Sequence, residues 1–314
     1  MKEERNNIKT FFEKEKLLDL SGAEQNLVNS LEQTYISNKD SLKVSFKNII
    51  DQWFDKLHIL TDFDRTLTTW FDSEWNKRPT LISVLRDNWY LSSEYCRKAQ
   101  DLFDRYHPIE VSAELDIDYK KSKMEEWWEK HVNLLIEYNL NIKDINQVIS
   151  YDFLRLRDWA KAMFDFLNRK NVPVVIISAA VLGEESIRNF LEKNNIDTSN
   201  IYIISNSFNF DDNWYAISYN QPLIHTFNKD ETMVTSFPKI DNVINTRRNV
   251  LLFGDSLGDP DMIEGFDYEN IIKIGFLNSE VEKYITNYLE NYDLIIPNDG
   301  DFYSINYMLS FVGN

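Results

Sequence analysis

Six short apolar runs, each followed by polar punctuation, set the limits on how this chain folds. They are "LHIL" ahead of Asp62, "VPVVIIS" at 172–178, "IYIIS" at 201–205, "NVLLFGDS" at 249–256, "IIKIGF" at 271–276 and "DLIIP" at 293–297. Continuous runs this short read as strands buried on both faces, which is the pattern of a parallel sheet covered by helices on either side. The stretches between them are long enough for crossover helices. In one of them, "LRLRDWAKAMFDFLN" at 154–168, Leu156, Trp159, Met163, Phe166 and Leu167 keep roughly helical spacing and predict a helix. The fold class is therefore α/β, a doubly wound, Rossmann-like parallel sheet flanked by helices.

Residues 71–150 interrupt the pattern. They are charged and aromatic, hold Trp75, Trp89, Trp127 and Trp128, and contain no strand-like run. Falling between the first and second strands, they predict a helical cap inserted into the core. The expected division is a core of residues 46–70 and 151–314, a cap of 71–150, and N-terminal helices at 1–45 that pack on the cap or the core. Only 8 glycines and 7 prolines against 14% aromatic residues argue against disorder and against a turn-rich sandwich.

Composition also narrows the partners. A formal net charge of -17 opposes attraction to a nucleic-acid polymer or an anionic membrane, both of which call for clustered Lys and Arg. A small phosphate is different, because a metal ion and a few local donors hold it inside an acidic protein. The single cysteine, Cys96, excludes an intrachain disulfide and a cysteine-built zinc site. The N-terminus has no apolar core like that of a signal peptide, and no run of about 18 apolar residues is present to cross a bilayer. The expectation is a soluble, cytoplasmic, monomeric protein. No glycine-rich dinucleotide or P-loop pattern is present, which removes NAD enzymes and P-loop kinases.

In open α/β sheets ligands sit beyond the carboxyl ends of the strands, and Asp62, Ser178 and Asp255 each fall at or just after a strand end. Asp62 and Asp64 in "DFDRTLT" pair a carboxylate able to attack phosphorus with one able to protonate a leaving oxygen and later activate water. A turn or helix cap explains two acids at this spacing equally well. In "GDSLGDPDM", Asp255 and Asp259 add a second acidic cluster, suited to Mg²⁺ or to the acidic first turn of a helix. Lys229 offers fixed positive charge of the kind a phosphate site needs. The histidines form no metal cluster: His58 reads as a core residue of the first strand, His107 lies in the cap, and His225 lies in strand-like "LIHTF".

Taken in order, Asp62 with Asp64, Ser178, Lys229, and Asp255 with Asp259 resemble the four motifs of the haloacid dehalogenase superfamily. "YHPIE" at 106–110, "MEEWWEKH" at 124–131, "LIHTFNK", "LLFGDSLGD" and "IIKIGFLN" are similar to the cytosolic 5′-nucleotidase III family, the pyrimidine 5′-nucleotidases, over roughly residues 50–300. The resemblance implies a nucleoside monophosphate substrate and an aspartyl-phosphate intermediate, with possible transfer of the phosphate to another nucleoside. It makes Asp62 the nucleophile and Asp64 the acid/base. It implies Mg²⁺ held by Asp62, the Asp64 carbonyl and Asp255, with Asp259 in support, and a phosphoryl group bound by Ser178, Ala179 and Lys229. In the cap, Glu110 matches a glutamate that reads the base and Trp128 an aromatic that stacks on it, whereas Trp127 reads as cap core. Tryptophan at the stacking position goes with acceptance of 7-methyl-GMP beside UMP and CMP, since methylated guanine is cationic.

Two departures stand out. The family's second motif is Ser-Ala-Gly-Ile-Gly-Asp, whereas "ISAAVLGEE" keeps Ser178 and Ala179, puts Ala180 in place of glycine and is about two residues shorter. His131 occupies the place of a family serine. The alternatives these leave are a phosphatase for another small phosphate ester and a catalytically impaired nucleotide-binding protein.

Overall fold

Every residue of strand β2 (Leu57–Thr61) is buried, and alternate side chains enter different layers of the core. Ile59, Val174, Ile176, Leu251 and Phe253 belong to one layer, while Leu60, Val175, Ile177, Val250 and Leu252 belong to the other. That two-sided burial is what a parallel sheet between helices requires. The computed structural model describes residues 33–88, 90–112, 114–229, 240, 243–264 and 267–312.

The main sheet runs in the order β1 (Tyr35–Ile36), β9 (Leu294–Pro297), β8 (Asn270–Leu277), β7 (Asn249–Gly254), β2, β3 (Val174–Ser178) and β4 (Ile201–Ser205). All pairs are parallel except β1 with β9. Each of the six apolar runs is a strand. Thr61 is in register with Phe253 on one side and Ile176 on the other, so the strand ends bearing Asp62, Asp255 and Ser178 are neighbours. The chain winds from β2 through β3 to β4 in one direction and from β7 through β8 to β9 in the other. The reversal between β2 and β7 opens the crevice in which doubly wound sheets bind ligands.

Among the described residues of 71–150 lie four helices, α2 (Leu81–Asp87), α3 (Ser93–Val111), α4 (Ile117–Glu137) and α5 (Ile142–Ser150). Side chains of Thr80, Ser92, Asp116 and Asn141 cap their N-termini by accepting from backbone N–H groups that would otherwise lack partners. Helix α3 packs on α4, α2 packs on α3 and α5, and α5 meets the core through α7 (Gly183–Lys193).

Four local features differ from the sequence reading. The helix expected over 154–168 begins only at Ala160, as α6 (Ala160–Arg169). Ahead of it Leu156 bridges Thr68, Thr69 N–H donates to the Arg155 carbonyl, Arg157 N–H donates to the Leu67 carbonyl, and Trp159 takes a left-handed φ of 67°. Long-range backbone bonding overrides the helical periodicity there. A small hairpin, β5 (Phe208–Phe210) with β6 (Ala216–Tyr219), was not foreseen. His225 sits in a turn and not in a strand, because Asn206 and Asn228 accept from the N–H groups of Ile224 and His225. At the N-terminal side, β1 extends the sheet edge and α1 (Lys39–Gln52) packs on β8, so residues 33–45 lie on the core. The expected helices before residue 33, and Trp89, lie outside the described residues. Among the described residues no helix is long and apolar enough to cross a membrane.

Candidate active site

Asp62 is the first residue beyond β2, and its N–H donates to the Phe253 carbonyl at 3.0 Å, so the sheet ladder fixes its position. It is 4% exposed. The Lys229 ammonium donates to Asp62 Oδ1 at 2.5 Å and to Asp259 Oδ1 at 3.1 Å, bridging the two acidic clusters. Burial, then the carboxylates of Asp259 and Asp64, push the Asp62 carboxyl up to about 7 against the pull of Lys229. Burial alone would depress the Lys229 ammonium, but Asp259 and Asp62 reverse this and hold it above the usual lysine range. Asp64 faces the same cleft, its carboxyl raised by burial in spite of Arg65 and Lys229.

The second cluster is built around one close approach. Asp259 Oδ2 accepts from the N–H groups of Asp255 and Ser256, both at 2.9 Å, folding the loop back on the end of β7. A β-carbon on Gly254 would lie 2.4 Å from that of Asp259 and 2.7 Å from the Tyr292 hydroxyl, so only glycine fits. From α8 (Val281–Asn291) and the residue after it, Tyr288 and Tyr292 donate their hydroxyls to the carbonyls of Asp255 and Ser256.

At the end of β3, the Ser178 hydroxyl accepts from Ala180 N–H at 3.2 Å. Asn206 donates to the carbonyls of Ala179, Ala180 and Ile224 and holds this loop to the turn that leads to Lys229. The Trp128 indole N–H, from α4, donates to the Ala179 carbonyl at 3.0 Å, tying the helical segment to the same loop.

Asp62, Asp64, Glu110, Trp128, Ser178, Ala179, Lys229, Asp255 and Asp259 thus line one cleft of about 300 Å³. Trp127 lines it too while stacking on Tyr106 at 5.9 Å, and its ring stands nearly perpendicular to that of Trp128. Glu110 accepts from Thr226 Oγ1 at 2.6 Å and contacts His107 Nδ1 at 3.1 Å. Burial opposes its charge, but those two partners hold the carboxyl below the usual range, so an ionised acceptor faces the cleft. His131 also lines the cleft, its Nε2 3.2 Å from the Tyr95 hydroxyl.

Ligand atoms of Asp62, Asp255 and Asp259 fall within 4.8 Å of one another. Asp259 spends both oxygens on Lys229 and the loop N–H groups. Among the described residues Asp255 receives only a 3.5 Å contact from Thr66, and burial, then Asp259 and Asp62, push its carboxyl well above the ordinary range. Crowded hard oxygens around an under-bonded carboxylate fit a divalent cation. Sequence reasoning missed Tyr288, Tyr292, Asn206, Thr226 and Arg157, whose long-range partners leave no local signature.

A family model described as pyrimidine 5′-nucleotidase (UMPH-1) matches residues 65–313, beginning directly after Asp64. The 7-methylguanosine phosphate-specific 5′-nucleotidase of Gallus gallus is 32% identical over 265 residues, 84% of this chain and 90% of that protein. The Homo sapiens protein of the same name is 33% identical over 262 residues, 82% of this chain and 85% of its own length. The crystal structure of cytosolic 5′-nucleotidase IIIB bound to cytidine superposes with a TM-score of 0.82 at 26% identity, covering 94% of this chain and 97% of that one. The chain belongs to the pyrimidine 5′-nucleotidase (UMPH-1) family and is a 5′-nucleotidase built on the haloacid dehalogenase fold.

Proposed function

We propose that the protein removes phosphate from nucleoside 5′-monophosphates, accepting CMP, UMP and 7-methyl-GMP, with Mg²⁺ as its metal and Asp62 as its nucleophile. The observation that carries this reading is the Lys229 bridge between Asp62 and Asp259 at the floor of a cleft walled by Glu110, Trp127 and Trp128. An Asp62 oxygen attacks phosphorus, the bond to the 5′ oxygen breaks, and Asp64 gives its proton to that oxygen. Burial, which raises the Asp64 carboxyl above the ordinary carboxylate range, suits it to the role. Asp64, now ionised, takes a proton from water, which attacks the phosphoryl group and frees Asp62. A nucleoside hydroxyl in the place of that water would receive the phosphate instead.

Lys229, Ser178 and the Ala179–Ala180 backbone bind the phosphoryl oxygens. Asp62 and Asp255 with the Asp64 carbonyl would hold the cation, and Asp259 fixes the loop that presents Asp255. When bound, the cation neutralises phosphate charge and keeps Asp62 ionised. Ionised Glu110 accepts from the base, and the tryptophan faces favour a flat, electron-poor ring such as methylated guanine. The names of the bird and human relatives and the cytidine held by the superposed structure support these two base classes. We read the protein as a monomer, and as cytoplasmic in line with the name of a Caenorhabditis elegans relative, putative cytosolic 5′-nucleotidase 3.

Phosphate release with Mg²⁺ from CMP, UMP, 7-methyl-GMP, AMP, GMP and a sugar phosphate tests the reading. Release from the first three, absent in Asp62→Asn, is expected. Release from the sugar phosphate alone would overturn the nucleotide assignment, and nucleotide binding without release would overturn catalysis.

A further inference from the structure

The guanidinium of Arg157 is 1% exposed and meets six acceptors. Its Nε donates to the Thr66 carbonyl at 2.9 Å, Nη1 to Asp299 and the Gly300 carbonyl, and Nη2 to Asn278 and the carbonyls of Arg65 and Thr68. Three of the six belong to residues 65–68, the segment that directly follows Asp64. Asp299 extends the grip by accepting from the N–H groups of Trp70 and Phe71, and Asn278 donates to the Arg65 carbonyl. Arg65 itself holds a left-handed φ of 64°, a conformation that a non-glycine residue keeps only where its surroundings fix it.

A buried ion pair is seldom better for stability than apolar side chains of the same volume, so stability alone does not account for an arginine here. What it does uniquely is turn several carbonyls of one short loop toward a single point. We propose that Arg157, with Asp299, is a positioning residue that locks the 65–71 loop and so aims the Asp64 carboxyl at the leaving 5′ oxygen. The role rests on the reaction proposed above. It touches neither substrate nor the reacting atoms and acts through the loop, so its effect falls on proton transfer and not on nucleotide binding.

The test compares leaving groups. A nucleoside alkoxide needs a proton as it departs, whereas p-nitrophenolate leaves without one, so loss of aim at Asp64 separates the two. Asp299→Asn and Arg157→Met are assayed on CMP and on p-nitrophenyl phosphate, with circular dichroism to establish folding. Expected is a fall in kcat/KM for CMP on the order of 10- to 100-fold, carried by kcat with KM little changed, and a fall for p-nitrophenyl phosphate of at most about threefold. Equal losses on both substrates, or no loss in a folded Asp299→Asn protein, would overturn the proposal. If the wild-type protein ignores CMP, the nucleotide reading fails on its own. The same contrast is then read between glycerol 3-phosphate and p-nitrophenyl phosphate, with the same outcomes deciding it.

Discussion

At Lys229 two carboxylates share one ammonium, and that sharing joins fold to chemistry. Leaving either acid buried without its partner would cost about 3–5 kcal/mol, so the lysine stabilises the floor of the cleft. Ala180 shows a different economy of position. Ala180 is not among the residues with positive φ, so no left-handed backbone calls for glycine there, and Gly183 at the start of α7 carries a φ of +77°. The altered second motif leaves Ser178 and Ala179 in the cleft. The buried histidines set a pH dependence. Burial and then the Arg247 charge, against the hydrogen bond to the Arg247 carbonyl, hold His58 down to about 4, while the unfolded chain titrates near 6.5. As pH falls through 6.5 the unfolded state takes up the proton first, so the contribution is complete above 6.5 and is lost toward 4, up to about 3 kcal/mol. Urea unfolding at pH 7.5 and pH 5 should show a smaller acid loss for His58→Asn, which keeps a donor for the Arg247 carbonyl, than for the wild type. Equal losses would contradict a neutral buried His58.

At the scale of elements, the six core strands were legible because each is a short apolar run followed by polar punctuation, and three of them, β2, β3 and β7, lead into Asp62, Ser178 and Asp255. The 154–168 helix was partly misread because periodicity cannot see that Leu156 and Arg157 are committed to the 65–71 loop. The acidic pair of the second cluster was visible, but its support from the tyrosines at 288 and 292 was not, since those residues lie more than 30 positions away. The β7 turn is the most tightly fitted element of the site. Gly254→Ala must push Asp259 or Tyr292 aside, so it should destabilise the fold by about 1–3 kcal/mol and lower activity more than a surface glycine substitution does. Thermal melting beside kcat measures both. An alanine variant with wild-type activity would show that the Asp259 approach is not required.

Over the whole molecule, a chain with a net charge of -17 gathers its carboxylates where the sheet ends and answers them locally, with Lys229 below and room for a cation beside Asp255. This explains how so acidic a protein can bind a phosphate ester. The helical segment closes over that point through Trp128 on the Ala179 carbonyl and Glu110 on Thr226, so one cleft holds both the acidic cluster and the residues proposed to read the base. The acidic residues that line the cleft could be found in the sequence because they fall at strand ends. The loop anchors could not, because they are chosen by three-dimensional proximity. The central claim is that Asp62 carries the phosphoryl group, and the most direct measurement is to quench the reaction with acid during turnover, reduce with borohydride and map the product by mass spectrometry. Homoserine is expected at position 62, formed only with substrate and metal and absent in Asp62→Asn. Reduction at another residue, or none in an enzyme that turns over normally, would contradict it.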